Sequence, residues 1–271
     1  MSGLCFLSNS RPRISVVHTN LDSNTLFRGN SILTKALEIY LKQTCFDYLD
    51  SCVGGFVKML VENDISLEVD PTRIDKPEVL QHNWSQLIGF TETLWLKLFQ
   101  TRKSIPLKLR VVLEFIRERA TSRLKDQNIE YLSVSAFFFL RLICPALMAP
   151  KLFNLTRIHP SQNCQRTLTL IAKSIQSLAN LSLLGVKEQY MHPMNAFIES
   201  KFPDMKQYLT DISTLDGPMR SATIYMNDEV HTYELENYLA LFHQFVINYD
   251  NPLLHKDLSA ICYTISNSVE S

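Results

Sequence analysis

Two arginines stand where an arginine needs a reason. Arg28 lies in NTLFRGNS, after Leu26 and Phe27 and before Gly29. The apolar pair suits anchoring of a short loop while the guanidinium projects outward, and Gly29 permits close backbone approach to a partner. Taken alone, such a residue is more often a plain solvated loop arginine. Arg141 lies in FFFLRLICPALMAP, residues 137–150, one of the most apolar stretches of the chain. A guanidinium there is costly unless paired and hydrogen-bonded. It either braces something or simply pairs with a helix end or an acidic residue. An always-charged planar fork of N–H donors binds phosphate and carboxylate oxygens, and that is the chemistry both side chains offer.

A third feature is a stripe. Thr169, Lys173, Gln176 and Asn180 recur at spacings of four, three and four, which places a hydroxyl, a lysine and two amides on one helix face. Leu168, Ile171, Ile175 and Leu178 form an apolar stripe for the core. An ordinary amphipathic surface helix reads the same way. Yet Arg166, Lys173 and Lys187 make the neighbourhood cationic and poor in carboxylates, as an acidic protein surface or a phosphate would require.

Other chemistry is poorly represented. The seven His are scattered, with no Ser-His-Asp or metal-ligand spacing, so an enzyme with its own small-molecule substrate is disfavoured. None of the six Cys forms C-x-x-C, and reduced thiols are the expectation. Lys plus Arg equals Asp plus Glu at 27 each, so no global field draws the protein to nucleic acid or membrane. MSGLCFL lacks the charged and apolar regions of a signal peptide, and no uninterrupted apolar run reaches the ~18 residues of a membrane span. A soluble, cytoplasmic protein is expected.

The elements that must position these residues read as helices. Gly is scarce at 7, and 46% of residues are hydrophobic, which together favour an all-α globular class. Residues 1–24 read as an irregular flank. A helix is expected from Asn30 or Ser31, with Leu33, Leu37, Tyr40 and Leu41 on one face, then a shorter one after Gly54 and Gly55. EVDPTRIDKPEV reads as a loop. Next come a helix capped by Asn83, one opening near Pro106, one ended by Pro145, and the stripe helix. Two short helices follow, the first broken by Pro193. SATIYM reads as strand-like and YELENYLALFHQFVINY as a last helix.

The runs FLRLICPALMAPKLFNL, RTLTLIAKSIQSLANL and KEQYM, with TLFRGNSILTKALEIYL before them, resemble the Ras GTPase-activating protein family. The resemblance covers roughly residues 25–213. It is nearest to the branch holding the original Ras GTPase-activating protein and the synaptic type. It implies an irregular all-α catalytic domain over 25–215 and a C-terminal helical extension over 216–271. Arg28 matches the arginine finger, and Arg141 the second arginine, which braces the finger loop through its backbone. Leu26 and Phe27 fall in the GTPase-binding loop, and Leu140 matches a residue that meets the GTPase near its switch regions. Lys173, Gln176 and Asn180 match the stripe facing the GTPase. Thr169 stands where relatives carry lysine, which weakens steering toward an acidic partner. Lys187 and Glu188 match the family's Lys-Glu pair.

The implied activity is acceleration of GTP hydrolysis on a GTP-bound Ras-like small GTPase. The chain would be a monomer without a cofactor of its own, since the GTPase holds GTP and magnesium. Membrane recruitment would come through partners. Only 27 residues precede Arg28, and they do not read as the helices expected beneath the finger. A binding-only relative and a helical interaction scaffold are the alternatives.

Overall fold

In a computed structural model, the described residues are 39–216, save 43, 124, 126, 186 and 187. Arg28, Leu26, Phe27 and Lys187 lie outside them, as do Leu33, Leu37, SATIYM and the expected last helix. The chain forms two compact units, Met1–Thr214 and Leu215–Ser271, and the first holds nearly all described residues. These are mainly helical, with no strand among them.

Helix α1, Phe46–Leu49, runs through a π-helical turn, Asp50–Gly54, into α2, Gly55–Glu62. The shorter helix expected after the two glycines is present and starts at Gly55 itself, where the wide turn resumes α geometry. A Cβ on Gly54 would fall 2.3 Å from Asp50 Oδ1, so glycine lets that carboxylate fold back. A connecting segment follows, with a 3₁₀ turn at Pro71–Arg73. Asp70 starts this turn, accepting hydrogen bonds from Thr72 N–H at 2.9 Å and Thr72 Oγ1 at 2.7 Å.

Helix α3 spans Pro77–Thr101 and α4 Leu107–Arg123. Asn83 does not cap α3. The helix starts six residues earlier, with proline in its first turn where the missing N–H costs nothing. Asn83 instead donates from Nδ2 to the Glu68 carbonyl at 2.8 Å, pinning the connecting segment to the second turn of α3. Pro106 precedes Leu107, and its carbonyl accepts from the N–H groups of Leu109 and Arg110.

Helix α5, Ile129–Phe138, does not end at Pro145. It passes into a second π turn, Phe139–Ile143, and then into α6, Cys144–Met148. By length and composition Ile129–Met148 is long and apolar enough to cross a membrane. Here it runs through the core: Phe137, Phe138, Phe139, Leu142 and Ile143 are fully buried. Helix α7 spans Gln162–Ala179, capped by Ser161, whose Oγ accepts from Cys164 N–H at 3.1 Å. A 3₁₀ turn holding Pro193, Gln189–Met194, leads into α8, Asn195–Ser200, and α9, Phe202–Ile212.

Tyr208 of α9 sits at the centre of an aromatic cluster. Ring centroids of Trp95, Phe139 and Phe138 lie 5.6, 5.7 and 6.2 Å from its own, and Tyr48 Oη is 3.3 Å from Tyr208 Oη. Each such pair is worth about 0.5–1.5 kcal/mol beyond its buried area. The cluster fixes α9 against α3, α5 and the second π turn. Arginines hold the other end of α9. Arg102 Nε donates to Asp211 Oδ2 at 2.7 Å, and Arg110 Nη2 donates to the carbonyls of Asp211 and Thr214 at 2.9 and 2.7 Å. Cations there complement the negative end of the helix dipole.

Cys45, Cys52, Cys144 and Cys164 are free and buried. Burial pushes the Cys52 and Cys144 thiols up to about 12, which leaves them unreactive near neutral pH.

Candidate functional site: the second π turn and the stripe of α7

The stripe forms as the spacing predicts. Leu168, Ile171, Ile175 and Leu178 are fully buried, and each stabilises by about 1.5–3 kcal/mol relative to exposure. Thr169, Lys173, Gln176 and Asn180 are all half-buried. That state leaves polar ends accessible while the stems are fixed. The π turn packs against α7, and Cys144 Sγ reaches the Ala172 carbonyl at 3.7 Å. Leu140 and Arg141 are half-buried on this turn, between fully buried Phe139 and Leu142. The structure thus places the Leu140–Arg141 pair and the polar stripe on adjoining elements, from segments about thirty residues apart in sequence.

Electrostatics differ from the sequence expectation in one respect. The neighbourhood is not poor in carboxylates. Lys173 Nζ donates to Glu188 Oε1 in a salt bridge. Arg166 is committed too: Nε donates to Glu68 Oε2 at 3.0 Å, Nη2 donates to Glu68 Oε1 and to Tyr190 Oη at 3.1 Å each, and the guanidinium lies 5.7 Å from the Tyr190 ring centre. Burial works against the Glu68 carboxylate. Hydrogen bonds from Arg166 and from the N–H groups of Asp70 and Val69 outweigh it, holding the group below its ordinary value of 4.5. Thr169 gives its hydroxyl hydrogen to the Gln165 carbonyl at 2.8 Å, so it offers a partner oxygen lone pairs and no charge.

Further bonds hold α7 in place. Thr167 Oγ1 accepts from Leu67 N–H at 2.8 Å and donates to the Ile65 carbonyl at 2.9 Å. Gln165 Nε2 donates to the Met148 carbonyl at 2.7 Å, tying the start of α7 to the end of α6. Sequence reasoning missed Glu68 and left Glu188 without a partner. The Lys-Glu step in KEQYM was the available signal for the second. Nothing local to Glu68 pointed to Arg166.

Comparison with known proteins gives the family. The chain matches the family model for the GTPase-activator protein for Ras-like GTPase over residues 15–79 and 75–180, and it belongs to that RasGAP family. The matched span includes Arg28, Arg141 and the whole stripe. The chain is 41% identical over 191 residues to the human Ras GTPase-activating protein nGAP, covering 70% of this chain and 17% of that protein. It is 38% identical over 208 residues to Ras GTPase-activating protein gap-2 of Caenorhabditis elegans, covering 74% and 17%. A probable Ras GTPase-activating-like protein of Dictyostelium discoideum is 34% identical over 217 residues, covering 79% and 25%. The chain thus spans from about a sixth to a quarter of the length of these relatives.

Proposed function

We propose that this chain accelerates GTP hydrolysis by a Ras-like small GTPase, with Arg28 as the arginine supplied in trans and Arg141 bracing the loop that carries it. The observation that carries the reading is the family match across both arginines and the α7 stripe. GTP hydrolysis on a small GTPase is slow because charge develops on the phosphates and the attacking water is poorly held. The GTPase supplies the nucleotide, magnesium and the glutamine that orients water. The activator adds a guanidinium, worth about 10³–10⁵ in rate for small GTPases in general. Lysine would not serve, because a planar fork bonds a phosphate oxygen and still meets neighbouring carbonyls.

Leu140 and the stripe of Thr169, Lys173, Gln176 and Asn180 form the docking face in this account. Half-burial suits the task, since side chains already restrained lose less entropy on binding. The protein is no enzyme on a substrate of its own, needs no cofactor and acts as a cytoplasmic monomer that partners bring to the membrane. The test is phosphate release from GTP-loaded Ras, with binding measured to both GTP-loaded and GDP-loaded Ras. Acceleration with preference for the GTP form is expected. Equal binding to both forms, or no acceleration, contradicts the reading.

A further inference from the structure

Arg141 is half-exposed, and a proline, Pro145, lies four residues further on. In an α-helix the N–H of residue 145 would donate to the Arg141 carbonyl. Proline has no N–H, and its ring crowds the carbonyl of the residue four before it. The helix meets this conflict at one place. Phe139 N–H still donates to the Ser135 carbonyl, four residues back. Cys144 N–H donates to the Phe139 carbonyl, five back. Ala149 N–H donates to the Pro145 carbonyl, again four back, at 2.9 Å. The extra residue is confined to Phe139–Ile143, immediately before the proline.

The consequence is angular. Residues of an α-helix advance by about 100° each, so one residue added to a turn rotates the remainder of the helix by about that angle. With the added residue, Phe137 and Phe138 before the turn and Phe139, Leu142 and Ile143 within it are all in the core. Leu140 and Arg141 alone among residues 137–143 are left half out of it. The other π turn, Asp50–Gly54, contains and precedes no proline, so wide turns here have separate local causes.

We infer that Pro145 is a positioning residue: by denying Arg141 the α-helical bond it sets the wide turn that presents Leu140 and Arg141. The inference rests on the reading of Arg141 as a brace. Pro145 itself touches no reacting atom; it acts through Arg141.

The test is a double-mutant cycle in the full chain, using Pro145→Ala, Arg141→Ala and both together. The readouts are the saturated single-turnover rate of phosphate release from GTP-loaded Ras and a crystal structure of Pro145→Ala. The structure should show residues 139–143 rewound as α-helix. The thermal midpoint should hold or rise, because alanine favours helix and an N–H is restored. The rate should fall about ten- to a hundredfold, the scale of a misplacement near 1 Å. In the Arg141→Ala background the same change should cost less than about threefold, because the two residues act as one. A persistent π turn, an unchanged rate, an equal loss in both backgrounds or a failure of Pro145→Ala to fold overturns the inference. Wild-type protein that does not accelerate hydrolysis counts instead against the activator reading. The crystal structure then decides the effect of the proline by itself, a rewound turn upholding it and a persistent one overturning it.

Discussion

Lys173, which the proposed function puts on the docking face, is already occupied within the protein. Its ammonium is paired with Glu188, and both side chains are about a third exposed. Reversing it, Lys173→Glu, sets two carboxylates against each other and removes a cation from the stripe. Binding to GTP-loaded Ras should weaken about tenfold at low salt and less at high salt. Titration of affinity against ionic strength checks this, and an unchanged low-salt affinity removes α7 from the interface. Glu68 makes a pH prediction. A carboxylate held below its ordinary value of 4.5 contributes stability above that value and loses it as pH falls through the folded one. Glu68→Gln should therefore cost about 1–3 kcal/mol at neutral pH and flatten the acid limb of a stability–pH curve. Parallel curves for the two proteins would contradict the linkage. The stripe was legible because helical spacing is local. The acidic partners were not: Glu188 is 15 residues from Lys173 and Glu68 is 98 from Arg166, separations that no periodic pattern encodes.

At the scale of elements, the helices themselves were readable and their junctions were not. Asn83 looks like a cap because its side chain can accept from a helix N-terminus, but Pro77 opens the helix earlier and Asn83 bonds a carbonyl of the preceding segment. Pro145 looks like a stop because proline breaks α geometry, but a π turn absorbs it and the helix continues. Whether such a turn fits the core is not local information: Phe139 within it packs against Tyr208, which α9 supplies from far along the chain. The first π turn allows a check on this scale. In Gly54→Ala the new Cβ displaces only the end of the Asp50 side chain and disturbs its exposed pair with Lys58, worth about 0–1 kcal/mol. Alanine gains about 1 kcal/mol over glycine in a helix. The two should nearly cancel, leaving stabilities from denaturant unfolding within about 1 kcal/mol of each other. A larger loss would mean that glycine matters for backbone geometry that the Asp50 contact does not explain.

Across the whole molecule, Arg28 and the α7 stripe are separated in sequence by well over a hundred residues, yet the two segments that match the family, 15–79 and 75–180, together cover both. The all-α class follows from composition and periodicity, and the described residues bear it out. The architecture came from the order of several motifs, since amphipathic helices of this kind can pack in many ways. The roles of Arg28 and Arg141 came from resemblance, because an arginine after two apolar residues is not in itself a catalytic signal. On the proposed reading, the chain completes another protein's active site with one guanidinium. The most direct measurement is single-turnover phosphate release from GTP-loaded Ras, with the wild-type chain and Arg28→Ala side by side and binding measured in parallel. Acceleration by the wild type is expected, with a loss of about 10³ or more in the variant and binding that stays nearly intact. Equal acceleration by both proteins would contradict the reading.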